Sequence, residues 1–195
     1  MSTGNDRHRL RFGGFLTTVS AFLMVGLVVV GASRAAFFDT TGNPGNTFAA
    51  GDVILTDDDS DTAMFEVTNM APGDSVIHCI EVTYEGSLTP ADINLYVGAG
   101  DLGGTGLAQY LDLEVELGTG GSFADCAGFS GSTVFDGDLA EFAADHTNFG
   151  SGTGDWVANA TDESRTYRFT ITLQDENDAQ GLTASVGFTW EAQNQ

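Results

Sequence analysis

Apolar and polar residues alternate with a period of two along much of this chain, and no other feature limits its fold as strongly. The alternation is clearest over residues 110–117, 167–174 and 182–191. In the first of these runs the leucines and the valine fall on one face, and the acidic residues fall on the other. Because successive side chains of a β-strand point to opposite faces, each run predicts a strand that buries one face.

Turn and capping signals divide the rest of the chain into short elements. Ala71–Asp74 contains a Pro-Gly pair that fits a type II turn, and residues 167–174 and 182–191 are predicted to form a long hairpin. One short helix is predicted at Asp138–Asp145, with Asp138 as its N-cap. Short strands joined by glycine-rich turns predict an all-β fold, an antiparallel β-sandwich. The other predicted strands are residues 53–56, 64–68, 75–84, 92–98 and 156–158.

The N-terminal segment has the form of an export signal. Three arginines precede an uncharged stretch at residues 12–32, and small residues follow it. This pattern places cleavage by a signal peptidase between Ala35 and Ala36. We therefore expect a signal peptide at residues 1–35 and one domain at residues 36–195, secreted or at the cell surface. An uncleaved anchor is the alternative, since the uncharged stretch is long enough to span a membrane, and this is the only membrane contact expected.

The chain is strongly acidic, with 28 Asp and Glu against 6 basic residues, all of them Arg, and a net charge of −22. Removal of residues 1–35 leaves 27 acidic residues and two arginines, a net charge of −25. Such a chain repels phosphate backbones, which excludes nucleic acid as a partner. Its aliphatic and aromatic content is enough for a core, which excludes an acidic disordered tail.

The sequence contains two cysteines and few residues typical of catalytic sites. In an exported chain the even pair, Cys79 and Cys126, predicts one disulfide bond. The sequence has no HExxH motif and no GxSxG nucleophile motif. We therefore predict no catalytic residue and no cofactor other than, at most, calcium.

Two short patterns indicate groups that the chain could carry. Asp57, Asp59 and Asp61 place carboxylates at alternate positions, which suits Ca²⁺, although the loop lacks the glycine and the distal glutamate of an EF-hand. The acidic turn at residues 175–178 is a second calcium candidate, and both loops are also explained as charged, solvated tips. Residues 159–161 match the Asn-x-Thr sequon for N-glycosylation.

Several landmarks together resemble the TasA/camelysin family of exported proteins. They are an Ala-Phe mature start at residues 36–37, the segment Asn46–Gly51, the turn Pro72–Asp74 and the closing segment Phe188–Ala192. The resemblance spans most of the chain and is least specific in the middle. It implies a jelly-roll-like β-sandwich, processing by a SipW-type signal peptidase, and a role as a fibre protein of a biofilm matrix. The chain departs from the family in lacking lysine and in its predicted disulfide.

The resemblance and the residues together suggest how such a fibre would form. Cleavage frees an apolar end, Ala36, Phe37 and Phe38, which is followed by a tether with glycine and proline and then by Phe48. We expect this segment to add as a strand to the next subunit, so the partner is a second copy or another matrix protein. Three alternatives remain open: a terminal strand packed on its own sheet, a camelysin-like metallo-endopeptidase, and a monomeric cell-surface binding module.

Overall fold

The computed structural model describes residues 38–40 and 51–195, and most of the regular structure in them is β-strand. Strands form where apolar and polar residues alternate, because the pleat sends each set to one side of a sheet. The strands are β1 (Phe38–Thr40), β2 (Leu55–Asp57), β3 (Ser75–Tyr84), β4 (Ala91–Tyr96), β5 (Leu102–Gly104), β6 (Leu111–Thr119), β7 (Ser130–Asp138), β8 (Thr153–Ala158), β9 (Glu163–Leu173), β10 (Ala184–Val186) and β11 (Thr189–Asn194).

These strands form two main antiparallel sheets and one small sheet. One main sheet has the order β1-β11-β4-β8, the other has the order β2-β3-β9-β6-β7, and β5 pairs with β10. Side chains of β9 and β11 meet between the main sheets: the ring centroids of Tyr167 and Trp190 are 5.6 Å apart, and those of Phe169 and Trp190 are 6.3 Å apart. The two sheets therefore enclose one core, and the predicted all-β sandwich is confirmed.

The strand order is that of a jelly roll. Strands β1, β11, β4 and β8 form one layer of four, while β3, β9, β6 and β7 form the other, with β2 added at the edge of the second layer. This arrangement is the eight-stranded double Greek key that the resemblance implied. The N-terminal strand β1 is the first of the eight and lies at an edge of its sheet.

The alternation in the sequence places the core side chains as predicted. In β6 the side chains of Leu111, Leu113 and Val115 are buried, while Asp112 between them is exposed. Strand β3 has the bounds that the sequence predicts. Burial of this apolar face stabilises the sandwich by roughly 25 cal/mol for each Å² removed from water.

One short helix, α1 (Leu139–Asp145), forms where it was predicted, and its caps explain its position. The carboxylate of Asp138 accepts a hydrogen bond from the backbone N–H of Glu141 at 2.7 Å. Phe142 is fully buried, and its ring centroid lies 4.8 Å from that of Phe135 on β7. The N-cap fixes the start of the helix, and Phe142 anchors it in the core.

The type II turn at residues 71–74 also agrees with its sequence signal. The backbone N–H of Asp74 donates to the carbonyl of Ala71 at 2.9 Å, and Gly73 has a φ of 82°. Only glycine adopts that φ without strain, so the turn directs the chain into β3.

Two predictions about strands were wrong. The segment 64–68 forms no strand: Met64 and Phe65 pack against the core, where Phe65 lies edge-on to Phe169 with centroids 6.5 Å apart, while Val67 is exposed. The predicted hairpin of 167–174 with 182–191 does not exist, because β9 and β11 belong to different sheets. Residues 182–191 are divided between β10, which pairs with β5, and β11, which pairs with β1 and β4.

The sequence did not predict β7, although it pairs with β6 over eight residue positions. Its first half is Ser, Gly, Ser and Thr, all exposed, and carries no alternation to read. Strand β5 lies in a glycine-rich segment and was likewise not predicted.

No helix within residues 38–40 and 51–195 is both long and apolar enough to cross a membrane. The predicted signal peptide at residues 1–35 and the cleavage position between Ala35 and Ala36 lie outside the described residues.

Candidate functional site

The strand predicted to take part in assembly, β1, pairs with β11 at the edge of its own sheet. The two strands are antiparallel, and the register places Phe38 opposite Gln193, Asp39 opposite Ala192, and Thr40 opposite Glu191. The alternative in which the terminal strand packs on its own sheet is therefore the arrangement within this single chain. Of the other predicted assembly residues, Ala36, Phe37 and Phe48 lie outside the described residues, as do the side chains of β1.

Strand β11 is the surface on which β1 lies, and it is held in the core independently of β1. Its other neighbour is β4, with six residue positions in register. Trp190 and Ala192 are buried in the core between the sheets. If β1 departs, β11 therefore remains in place and becomes the edge strand of the sheet, with one side of its backbone ready to pair.

The face of β11 that carries Glu191 has a defined polar contact beside the β1 position. The hydroxyl of Tyr96 on β4 donates to Glu191 Oε2 at 2.8 Å, and the side-chain amide of Gln193 donates to Glu191 Oε1 at 2.8 Å. Burial, and after it the hydrogen bond to Glu191, raises the pKa of Tyr96 to about 12, so the phenol keeps its proton at neutral pH. Glu191 is 8% exposed and is fixed directly opposite Thr40.

The predicted calcium ligands lie at the end of β2, in a loop shaped by its own carboxylates. Asp59 Oδ1 accepts the backbone N–H of Asp61 at 2.7 Å, and Asp57 Oδ1 lies 3.4 Å from the backbone nitrogen of Asp59. Ser60 and Asp61 have φ values of 55° and 62°. The carboxylates therefore cap neighbouring amides along the loop, as in Asx-turns.

Two of the three predicted ligands do approach each other. Burial, followed by the hydrogen bond and charge of the Asp59 carboxylate, raises the pKa of Asp57 to about 6. Among residues 51–195, however, the structure contains no group of three or more His, Cys, Asp or Glu side chains placed to hold a metal ion. The loop thus brings Asp57 and Asp59 together and does not gather Asp61 with them.

Asp58, which the sequence did not single out, joins three parts of the fold. Its Oδ1 accepts the backbone N–H of Glu81 on β3 at 2.8 Å, and its Oδ2 accepts the N–H of Phe123 at 2.7 Å. Phe123 lies in the connection between β6 and β7. A run of acidic residues at a loop tip carries no signal that tells such a positioning carboxylate from a solvated one.

The predicted disulfide between Cys79 and Cys126 is present, with Cα atoms 5.4 Å apart. It fastens the β6–β7 connection to β3, on the face of the five-stranded sheet that points away from the core. There Cys79 pairs in register with Arg168, whose guanidinium forms an ion pair with Glu116 and lies 4.6 Å from the ring centroid of Phe129. The disulfide, the ion pair and the Phe129 ring together lie over this outer face of the five-stranded sheet.

The two histidines outside the predicted signal peptide occupy separate packing positions. His78 on β3 meets Phe65 edge-on, with ring centroids 5.0 Å apart. His146 follows α1, its Nδ1 lies 2.6 Å from the carbonyl oxygen of Ser151, and its ring packs on Phe142. Both rings contribute to packing in the part of the chain that the structure describes.

Comparison with known proteins relates this chain to a protein family. A family model described as Camelysin metallo-endopeptidase matches residues 15–99. This match confirms the resemblance to the TasA/camelysin family. No curated protein matches the chain. The camelysin match covers residues 15–35 of the predicted signal peptide and strands β1 to β4, and His78 is the one histidine within it.

Proposed function

We propose that this chain is an exported structural protein that assembles into extracellular fibres by exchange of its N-terminal strand between subunits. The observation that supports this most directly is the position of β1, the first strand of the jelly roll, at an edge where it pairs with β11 over three residues. Antiparallel ladder bonds are the same whether the strand comes from the same chain or from a neighbour. The β1 position is therefore a site that any copy can fill.

Exchange needs a connection that lets β1 leave its own domain. Residues 41–50 join β1 to the rest of the chain and contain Gly42, Pro44 and Gly45. Glycine lowers the cost of alternative backbone paths, and a short strand at the end of a chain is the element most easily exchanged. Each subunit gives its β1 to one neighbour and receives β1 from another, so the contact is head to tail and propagates as a filament when it does not close.

Export would control this assembly. Cleavage between Ala35 and Ala36 by a SipW-type signal peptidase would free the N-terminus, because β1 begins only a few residues beyond the cut. This proposal places the mature chain outside the cell or on its surface. N-terminal sequencing of the released protein would start at Ala36, whereas a start at Met1 would contradict cleavage.

The charge of the mature chain predicts how assembly responds to salt. Subunits with a net charge of −25 repel each other, and the Debye length falls from about 10 Å at 0.1 M salt to about 3 Å at 1 M. We expect faster filament growth, by roughly tenfold, over that range. Growth rates that do not change with salt would contradict this part of the proposal.

Electron microscopy of three purified chains tests the proposal. We expect residues 36–195 to form filaments in raised salt and residues 41–195, which lack β1, to remain single particles. Val157→Asp in the longer chain is the matched control, because Val157 is exposed on β8 at the opposite edge of the same sheet. Single particles from all three chains would contradict fibre assembly and support a monomeric cell-surface module.

A camelysin-like metallo-endopeptidase is the second candidate, and the description of the matching family model supports it. A hydrolytic zinc site takes three protein ligands and an open position. Elemental analysis of the purified mature chain tests this candidate, with one zinc per chain and chelator-sensitive peptide cleavage as the result in its favour. Cleavage that is absent from zinc-loaded protein would reject it.

A further inference from the structure

We propose that Asn159 is an N-glycosylation site. The triplet Asn159-Ala160-Thr161 is the only Asn-x-Ser/Thr sequence without proline at the middle position in the 195-residue chain. This inference rests on the export part of the proposed function, because N-linked glycans are added to chains that leave the cytoplasm. It does not depend on whether the chain assembles into fibres.

The structure places the triplet on a surface turn. Residues 159–162 are all exposed and connect β8 to β9. The turn is held by its backbone: the N–H of Asp162 donates to the carbonyl of Tyr84 at 2.8 Å, and Asp162 has a φ of 63°. A glycan attached here would project into solvent and leave the core between the sheets unchanged.

The acceptor amide keeps an N–H for modification. One N–H of the Asn159 side chain donates to the carbonyl of Val157 at 3.1 Å, and the backbone N–H of Asn159 donates to Glu163 Oε2 at 2.9 Å. A carboxamide has two N–H bonds, and glycosylation uses one. The contact with Val157 can therefore remain in the modified protein.

The hydroxyl of Thr161 donates to the carbonyl of Gly86 at 2.9 Å. An oligosaccharyltransferase recognises this hydroxyl, so we expect transfer to precede the folding that engages it. In the transfer, a bond forms between Asn159 Nδ2 and the anomeric carbon of the sugar. The bond from that carbon to the phosphate of a lipid-linked oligosaccharide breaks, the lipid phosphate leaves with the bonding electrons, and the amide releases one proton.

A glycan on Asn159 would lie beside β8, an edge strand of the four-stranded sheet. Asn159 directly follows β8, which lies at the end of the sheet order opposite to β1. A bulky hydrated group beside an edge strand hinders pairing with another chain. The glycan would therefore protect the β8 edge while the β1 edge remains accessible.

Mass spectrometry of the exported protein, purified from the organism that encodes it, tests this inference. Cleavage after acidic residues releases a peptide of residues 156–162, bounded by Asp155 and Asp162, that contains the acceptor. We expect a sugar mass on Asn159 that is lost in Asn159→Gln and Thr161→Val and restored in Thr161→Ser. Asn177→Gln is the matched control, since Asn177 is exposed and lies outside any sequon, and the sugar mass should persist.

Exported protein with unmodified Asn159 would overturn the glycan and leave export intact. A full chain that begins at Met1 and is found only inside the cell would overturn export and the glycan together. The two failures are therefore distinguishable in the same experiment.

Discussion

The two edges of the four-stranded sheet, β1 and β8, are attached to the fold in different ways. Strand β8 has six residues, buries Trp156 and Ala158 in the core, and is linked to the second sheet where the Thr153 hydroxyl donates to the carbonyl of Val134 at 3.0 Å. Strand β1 has three residues, and its described attachment is the ladder with β11. The β8 edge is anchored in the core, and the short ladder of β1 supports the proposal that the β1 edge is the exchangeable one.

Replacing Trp156 by Ala should cause the largest loss, because it removes the side chain that anchors the β8 edge. Trp156 is 6% exposed, and the Arg165 guanidinium lies 5.3 Å from its ring centroid. Truncation of a buried Trp costs about 3–5 kcal/mol, and we expect that decrease in the free energy of unfolding in urea titrations. A decrease below about 1 kcal/mol would show that β8 is not anchored through its core side chain.

Removing the disulfide tests a region that belongs to neither edge. Replacing Cys79 and Cys126 together by Ser opens a connection with a sequence separation of 47 residues. The loop-entropy relation predicts a loss of about 4 kcal/mol, and measured disulfides usually give about 2–4. Thermal unfolding of the oxidised and reduced protein measures it, and we expect the double variant to match the reduced protein. Filament formation at low temperature should persist, because the disulfide lies on the five-stranded sheet and β1 belongs to the four-stranded sheet.

Removing residues 36–40 should have a much smaller effect on the domain than either change. A ladder of three residues contributes about 1 kcal/mol to the stability of one chain, since each hydrogen bond replaces bonds to water. We expect a free energy of unfolding within about 1–2 kcal/mol of that of the mature chain. Unfolding of the shortened chain at room temperature would contradict the view that β1 is exchangeable.

Replacing Asp57 by Asn should give the smallest effect, with a sign that depends on pH. The pKa of Asp57 is raised to about 6 in the fold against an ordinary value of 3.8, so the folded state binds its proton more tightly. Stability from this group is complete below pH 3.8 and is lost as the pH rises through about 6. The Asn variant avoids that loss, and because solvent screens a partly exposed carboxyl we expect a gain of about 1 kcal/mol at pH 7.5 and none at pH 3.5.

The same variant sharpens the calcium prediction. A cation bound by Asp57 and Asp59 would raise the midpoint of thermal unfolding of the mature chain when millimolar Ca²⁺ is added, and Asp57→Asn would remove that increase. Equal responses of the two proteins to Ca²⁺ would contradict a site at this loop.

The success of the sequence predictions followed from how local each signal is. The bounds of β3, the N-cap Asp138 and the turn at Gly73 depend on neighbouring residues, and the sequence predicted all three. The partner of each strand depends on the other strands: the alternation in 167–174 and 182–191 cannot show that the two runs lie in different sheets, or that the second run is divided near Gly187 between β10 and β11. The backbone N–H of Gly187 donates to the carbonyl of Asp101 at 3.0 Å, a contact between residues far apart in the sequence.

The candidate site divides in the same way. The apolar residues Phe37 and Phe38 are visible in the sequence, whereas β11, the acceptor strand of the proposal, reads as an ordinary core strand with Trp190 and Ala192 on its buried face. The role of β11 in the proposal follows only from its pairing with β1, which is seen in the structure. Similarly, the alternate aspartates in the loop after β2 are visible in the sequence. Their carboxylates point toward backbone N–H groups of the loop, and the sequence does not show this.

Disulfide trapping between subunits tests the central claim most directly. Two single variants of the mature chain, Phe38→Cys and Gln193→Cys, change positions that face each other in the β1–β11 register. The account predicts that the two proteins, mixed in raised salt and oxidised, form covalently linked dimers, while Phe38→Cys mixed with Val157→Cys does not. No linked dimers in the first mixture, together with an internal disulfide in the Phe38→Cys/Gln193→Cys double variant, would show that β1 stays on its own chain and would contradict strand exchange.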